Sequence, residues 1–71
     1  MEGKTEFVIF CIENLAARIG MDAEAVYRLL AEKTDILAGY IIPGYEVLHS
    51  QSKDYIMEDL LEVMREKGAV A

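Results

Sequence analysis

The chain has 71 residues, enough for one domain and no second one. Thirteen acidic residues against seven basic ones give a net charge of −6, which disfavours binding to nucleic acid or to an anionic membrane surface. A single cysteine, Cys11, excludes an internal disulfide, and with one histidine, His49, it leaves too few N and S ligands for a structural zinc site.

Hydrophobic residues make up 54% of the chain. A domain this small has much surface for its volume, so part of that content faces outward in a lone monomer. A core of this size supplies only about 3–5 kcal/mol of net stability. Both points favour association with another chain. The N-terminus lacks the long apolar run of a signal peptide. The longest uncharged apolar run, Phe7 to Ile12, is far too short to span a membrane, so a cytoplasmic location is expected.

The first predicted element is a helix from Thr5 to Ile19, with Gly20 in the C′ position. The run from Phe7 to Ile12 has β-strand character by itself. Its continuation to Gly20 without a breaker decides for a helix. At 100° per residue, Val8, Ile9, Cys11, Ile12, Leu15, Ala16 and Ile19 fill one broad face. Phe7, Phe10 and Ala17 fall on the other side, beside Asn14, and form a candidate dimer face. On a two-fold axis, Asn14 would bond across to its copy and fix the register.

The second helix starts after Asp22 as N-cap and runs to Lys33. Its inner face holds Val26, Tyr27, Leu29 and Leu30. Glu24, Arg28 and Glu32 stand outside at i, i+4 spacing.

The middle segment, Thr34 to Ser52, is less regular. A short helical turn is expected at Asp35–Leu37. Pro43 should hold Ile42 extended, and Tyr45 to His49 should form another turn or two. The last helix runs from Lys53 to Lys67, with Ser52 as N-cap and Gly68 as C′ residue. Ile56, Met57, Leu60, Leu61, Val63 and Met64 face inward, and Tyr55, Asp59, Glu62 and Glu66 face outward. The expected fold is therefore all-α: a single helical domain, a small bundle of three longer helices with an irregular, partly helical middle segment. Val8, Ile12, Leu15 and Ile19 should pack against Ile56, Leu60 and Met64.

Few residues offer chemistry. His49 could act as a general base oriented by Glu46, but spacing ties no nucleophile to it, and a hydrogen-bonded structural histidine is the plainer reading. Cys11 lies on an apolar face without a helix N-terminus or a cation to activate it, so it reads as a core residue. The stripe Asp54, Glu58, Glu62 and Glu66 reads as a solvated face, or else as a landing strip for a basic partner. Tyr40, Tyr45 and Tyr55 with Pro43 form an aromatic cluster suited either to an interface or to a lid over the core. The chain carries no phosphate-binding glycine loop and no catalytic or metal-binding motif.

The most specific string is Tyr40-Ile41-Ile42-Pro43-Gly44-Tyr45-Glu46-Val47-Leu48-His49-Ser50-Gln51. With Asp35-Ile36-Leu37 and the Val26–Leu30 helix it resembles a family of short bacterial proteins, the domain of unknown function 3791. The resemblance covers Glu6 to Gly68. It implies no activity or cofactor. It does imply genetic neighbours of similar size, in arrangements like toxin–antitoxin modules. It also implies that a shared function would sit between Asp35 and Gln51, with Asp35, Tyr40, Pro43, Tyr45, Glu46, His49 and Gln51 as the candidate binding residues.

The leading functional expectation is thus a non-enzymatic, self-associating protein-binding module without cofactor or metal. Its partner would be another protein, such as the product of a neighbouring gene. The alternative is a small-ligand or enzymatic site around His49, Glu46, Tyr40 and Tyr45. A helix-turn-helix regulator built on Asp22 to Leu37 is opposed by the acidic helix surfaces.

Overall fold

The computed structural model describes residues 3–70 and contains helices only. In chain order these are α1 (Gly3–Ile19), α2 (Ala23–Ala31), a single π-helical turn (Leu37–Ile41), α3 (Tyr45–Leu48) and α4 (Lys53–Glu66). The all-α expectation holds. The run from Phe7 to Ile12 is helical, because its neighbours on both sides are good helix formers.

The helix ends follow local chemistry. Gly20 and Gly68 close α1 and α4 in the left-handed region, at φ 72° and 76°. A side chain there would be strained, which is why glycine is favoured at both. The Ser52 hydroxyl accepts a hydrogen bond from the Tyr55 N–H at 3.1 Å and caps α4. Asp22 has the extended backbone of an N-cap, but its carboxylate makes no capping bond.

The buried core consists of Phe7, Cys11, Leu15 and Ala16 from α1, Val26 and Leu30 from α2, and Ile36 and Ile41 from the middle segment. Leu48 of α3 and Ile56, Met57, Leu60 and Met64 of α4 complete it. The buried line on α1 is therefore Phe7, Cys11 and Leu15, at i, i+4 spacing, rather than Val8, Ile12 and Ile19, which are only partly buried. This rotation corrects the expected dimer face. Phe7 is 8% exposed and part of the core and Phe10 packs against it, whereas Ala17 is exposed, as expected, and Ile9 is the large apolar residue of α1 left in solvent, at 49% exposure. The reason is tertiary: α3 folds over the N-terminal end of α1, and Tyr45 meets the Phe7 ring edge-on at 5.5 Å. A wheel drawn for one isolated helix has no means of including that cover.

α2 differs from expectation in one side chain. Val26 and Leu30 are buried, but Tyr27 is 44% exposed. Arg28 and Glu24 pair at 2.8 Å, as their spacing allows.

The middle segment holds the largest difference. Ile42 is helical, at φ −67° and ψ −49°, and not extended. Its N–H bonds to the Leu37 carbonyl at 3.0 Å, five residues back. The wider turn moves the backbone outward just ahead of Pro43. It thereby relieves the clash that a proline ring makes with the carbonyl four residues earlier in a regular helix. The Gly44 N–H then closes on the Tyr40 carbonyl at 2.9 Å.

Candidate functional site

The π-helical turn and α3 place the motif residues, and they do so on different sides of the segment. Within the turn, Ile41 points into the core with no exposure, while its neighbour Ile42 is 38% exposed. Successive residues of a helical turn diverge by about 100°, and here the turn sets Ile41 towards the core and Ile42 towards solvent. The Tyr40 hydroxyl donates a hydrogen bond to the Asp59 carboxylate of α4. That bond, with partial burial and the negative field of Asp59, pushes the Tyr40 hydroxyl pKa up to about 12. Asp59 was expected to face outward. It is half-buried because Tyr40 comes to meet it.

Tyr45 belongs to an aromatic row. Phe10 and Phe7 stack at 6.1 Å, Tyr45 meets Phe7 edge-on, and His49 stacks on Tyr45 at 4.4 Å with ring planes 16° apart. The Tyr45 hydroxyl abuts Gly3 at the start of α1, where a side chain would collide with it. Nδ1 of His49 lies 2.7 Å from the Tyr45 carbonyl oxygen. It is therefore occupied with the end of α3 and is not oriented by Glu46. Glu46, Pro43 and Gln51 are exposed. Asp35 is exposed and pairs with Lys67 at 3.1 Å, and this ammonium group holds the Asp35 carboxyl below its ordinary pKa.

The candidate binding residues thus do not converge on one cavity. Tyr40 ties the π turn to α4, Tyr45 ties α3 to α1, and Asp35 ties the start of the segment to the end of α4. Their work in this structure is to hold the middle segment in place. Asn14 is likewise turned inward on its own helix: its Nδ2 donates to the Phe10 carbonyl at 2.8 Å. Among the described residues no group of histidine, cysteine and carboxylates is placed to hold a metal ion. Cys11 is fully buried, and burial pushes its thiol up to about 12.

The surface of the described residues includes two grooves. One, of about 350 Å³, is lined by Lys4, Thr5, Val8, Ile9 and Ile42. The other, of about 290 Å³, is polar and is lined by Asn14, Ala17, Arg18, Lys53, Asp54 and Met57. In the second, Arg18 already reaches Asp54 and Glu58, each at 3.4 Å, so part of the acidic stripe on α4 is neutralised from α1. The first groove carries no such pairing and is walled by three aliphatic side chains. Sequence reasoning did not find it. Nothing in the local sequence separates Ile42 from Ile41, and the packing of the turn decides which of the two is exposed.

The groove has a simple origin. α1 is 17 residues long and α2 is 9, or about 25 Å and about 13 Å. α2 begins just after Gly20 and runs back along α1, so it covers only the C-terminal half. In the N-terminal half, Val8 and Ile9 line the groove together with Ile42.

Among the described residues no helix is long and apolar enough to cross a membrane. No curated protein and no solved structure matches the chain. The sequence model of a family described as Protein of unknown function (DUF3791) matches residues 6–67, and with nearly the whole chain covered, the protein belongs to that family.

Proposed function

We propose that this protein is a protein-binding module, a small helical adaptor or antitoxin-like partner. One observation carries the reading. Ile9 and Ile42, two large aliphatic side chains from elements far apart in sequence, stand exposed on the same groove. Tyr40, Tyr45, His49 and Asp35 are meanwhile engaged in contacts within the fold, while Tyr55 is exposed. Exposed aliphatic residues brought together by tertiary structure favour a contact with another apolar surface. The self-association expected through Phe7 and Phe10 forms no part of this proposal, because Phe7 belongs to the core.

The test is recovery of the tagged protein at its natural level from the cell that makes it. The captured protein is then identified, and the complex is rebuilt from the two purified chains. The expected result is a stoichiometric complex that survives size-exclusion chromatography. A purified protein that recruits no chain and instead retains a small molecule would refute the reading.

A further inference from the structure

The apolar groove on α1 is bordered by acids. Glu6 and Glu13 lie about one turn before and after Ile9, on the flank next to it. Glu46 belongs to α3, one turn beyond Ile42. All three are exposed, and among the described residues none takes part in an ion pair. Of the other acids, Glu24, Asp35, Asp54 and Glu58 have basic partners, whereas the exposed Asp22, Glu32, Glu62 and Glu66 take part in none of these ion pairs. Lys4, at the N-terminal end of the groove, is the single cation in its lining. The local balance is therefore negative, like that of the whole chain.

Resting on the protein-binding reading above, we infer that the groove receives the apolar stripe of a basic amphipathic helix from another protein. The shape argument is that the groove exists where α2 stops short. It runs along one turn of α1, with Val8 and Ile9 on one side and Ile42 on the other. An incoming helix would set aliphatic residues spaced i, i+3, i+4 against Val8, Ile9 and Ile42. The charge argument selects the sign of its flanks. Lysines or arginines on the incoming helix would face Glu6, Glu13 and Glu46, whose charges are otherwise unanswered. The same feature opposes a second copy as the occupant. A copy brings a further −6 of charge. An antiparallel pairing centred on Ile9 would also set the Glu6 and Glu13 edge against its own image.

The experiment uses the full chain and two labelled peptides of about 14 residues, two heptads in length. Both carry leucines at i, i+3, i+4 and i+7. One has lysine at its flanking positions, the other glutamate. Fluorescence anisotropy at about 0.15 M salt should show binding of the lysine peptide and at least about ten-fold weaker binding of the glutamate peptide. An Ile9→Asn, Ile42→Asn double variant, folded by circular dichroism, should lose about ten-fold or more of the lysine-peptide affinity. Its charge is unchanged, so this separates groove docking from general attraction to an acidic protein. A Glu6→Gln, Glu13→Gln variant should also bind more weakly and with a shallower salt dependence.

Equal binding of both peptides overturns the inference, and so does affinity that survives the double isoleucine change. So would sedimentation of the wild type as a dimer that the isoleucine variant dissolves, since the occupant would then be a second copy. A natural partner captured equally well by wild type and by the isoleucine variant would leave the protein-binding reading standing and overturn the groove.

Discussion

Gly44→Ala puts the architecture of the middle segment to a sharp test. Gly44 has φ −87° and ψ 4°, a conformation open to any residue. On backbone grounds alone, replacing glycine by alanine would stabilise the protein by about 0.4–1 kcal/mol through the unfolded chain. The structure opposes this. A methyl group built on Gly44 would sit 2.7 Å from the Tyr40 carbonyl oxygen and 3.4 Å from Cδ1 of Leu48. The first contact is with backbone, and that same carbonyl accepts the Gly44 N–H. Relief requires moving the π turn, which carries Tyr40 and its bond to Asp59, or moving α3. Forcing a methyl into a packed site costs about 1–3 kcal/mol. That outweighs the entropic gain, so a net loss of about 1–2 kcal/mol is expected. For a domain of this size the melting temperature should fall by about 4–8 °C per kcal/mol. Gly39→Ala is the control. There the methyl would meet only the side chain of Asp35, at 3.1 Å, and moving this exposed carboxylate disturbs no more than its surface ion pair with Lys67. That variant should melt at or slightly above the wild type. Thermal unfolding followed by circular dichroism at 222 nm reads both. A Gly44→Ala protein as stable as Gly39→Ala would refute the close approach of Gly44 to Tyr40, and with it the described path of the segment.

Three further outcomes are expected. Leu60 is fully buried, so Leu60→Ala should cost about 2–5 kcal/mol in denaturant unfolding, and an unchanged midpoint would show that α4 is turned the wrong way. Cys11 is buried and its thiol is held up to about 12, so a thiol reagent at neutral pH should label it only as fast as the protein opens; immediate labelling under native conditions would contradict the core. Tyr40 is held neutral in the fold, its pKa raised from an ordinary 10 to about 12, so its contribution to stability is complete below pH 10 and is lost as the pH rises towards 12. Tyr40→Phe should cost about 0.5–1.5 kcal/mol at neutral pH and make the alkaline decline shallower, the remainder belonging to Cys11, whose thiol is raised from 9 to about 12; a variant with an unchanged decline would refute the part assigned to Tyr40.

Much of the fold was legible in the chain because it depends on local rules. Gly20, Ser52 and Gly68 mark helix ends through backbone freedom or a capping hydroxyl, and the structure uses each as expected. The inner face of α4 follows from its period, because that helix packs on one side and is wet on the other. The motif from Tyr40 to Gln51 read as the specific part of the chain, and it lies within residues 6–67, which the family model matches. What the motif does was not legible. Tyr40 and Tyr45 read as residues open to a ligand, and only the positions of Asp59, Phe7 and Gly3 in space show them engaged in packing.

The orientation of α1 was decided by tertiary structure. Its residues are apolar around most of the helix, so periodicity alone could not say which side would be covered. The cover comes from α2, α4 and α3 together, and it buries Phe7 while leaving Ile9 in solvent. The candidate groove arises in the same way, from the difference in length between α1 and α2 and from the outward turn of Ile42 beside Pro43. Local propensity and capping act within about one helical turn and can be read along the chain. Which of two apolar sides is buried depends on elements distant in sequence, and only their assembly in three dimensions determines it.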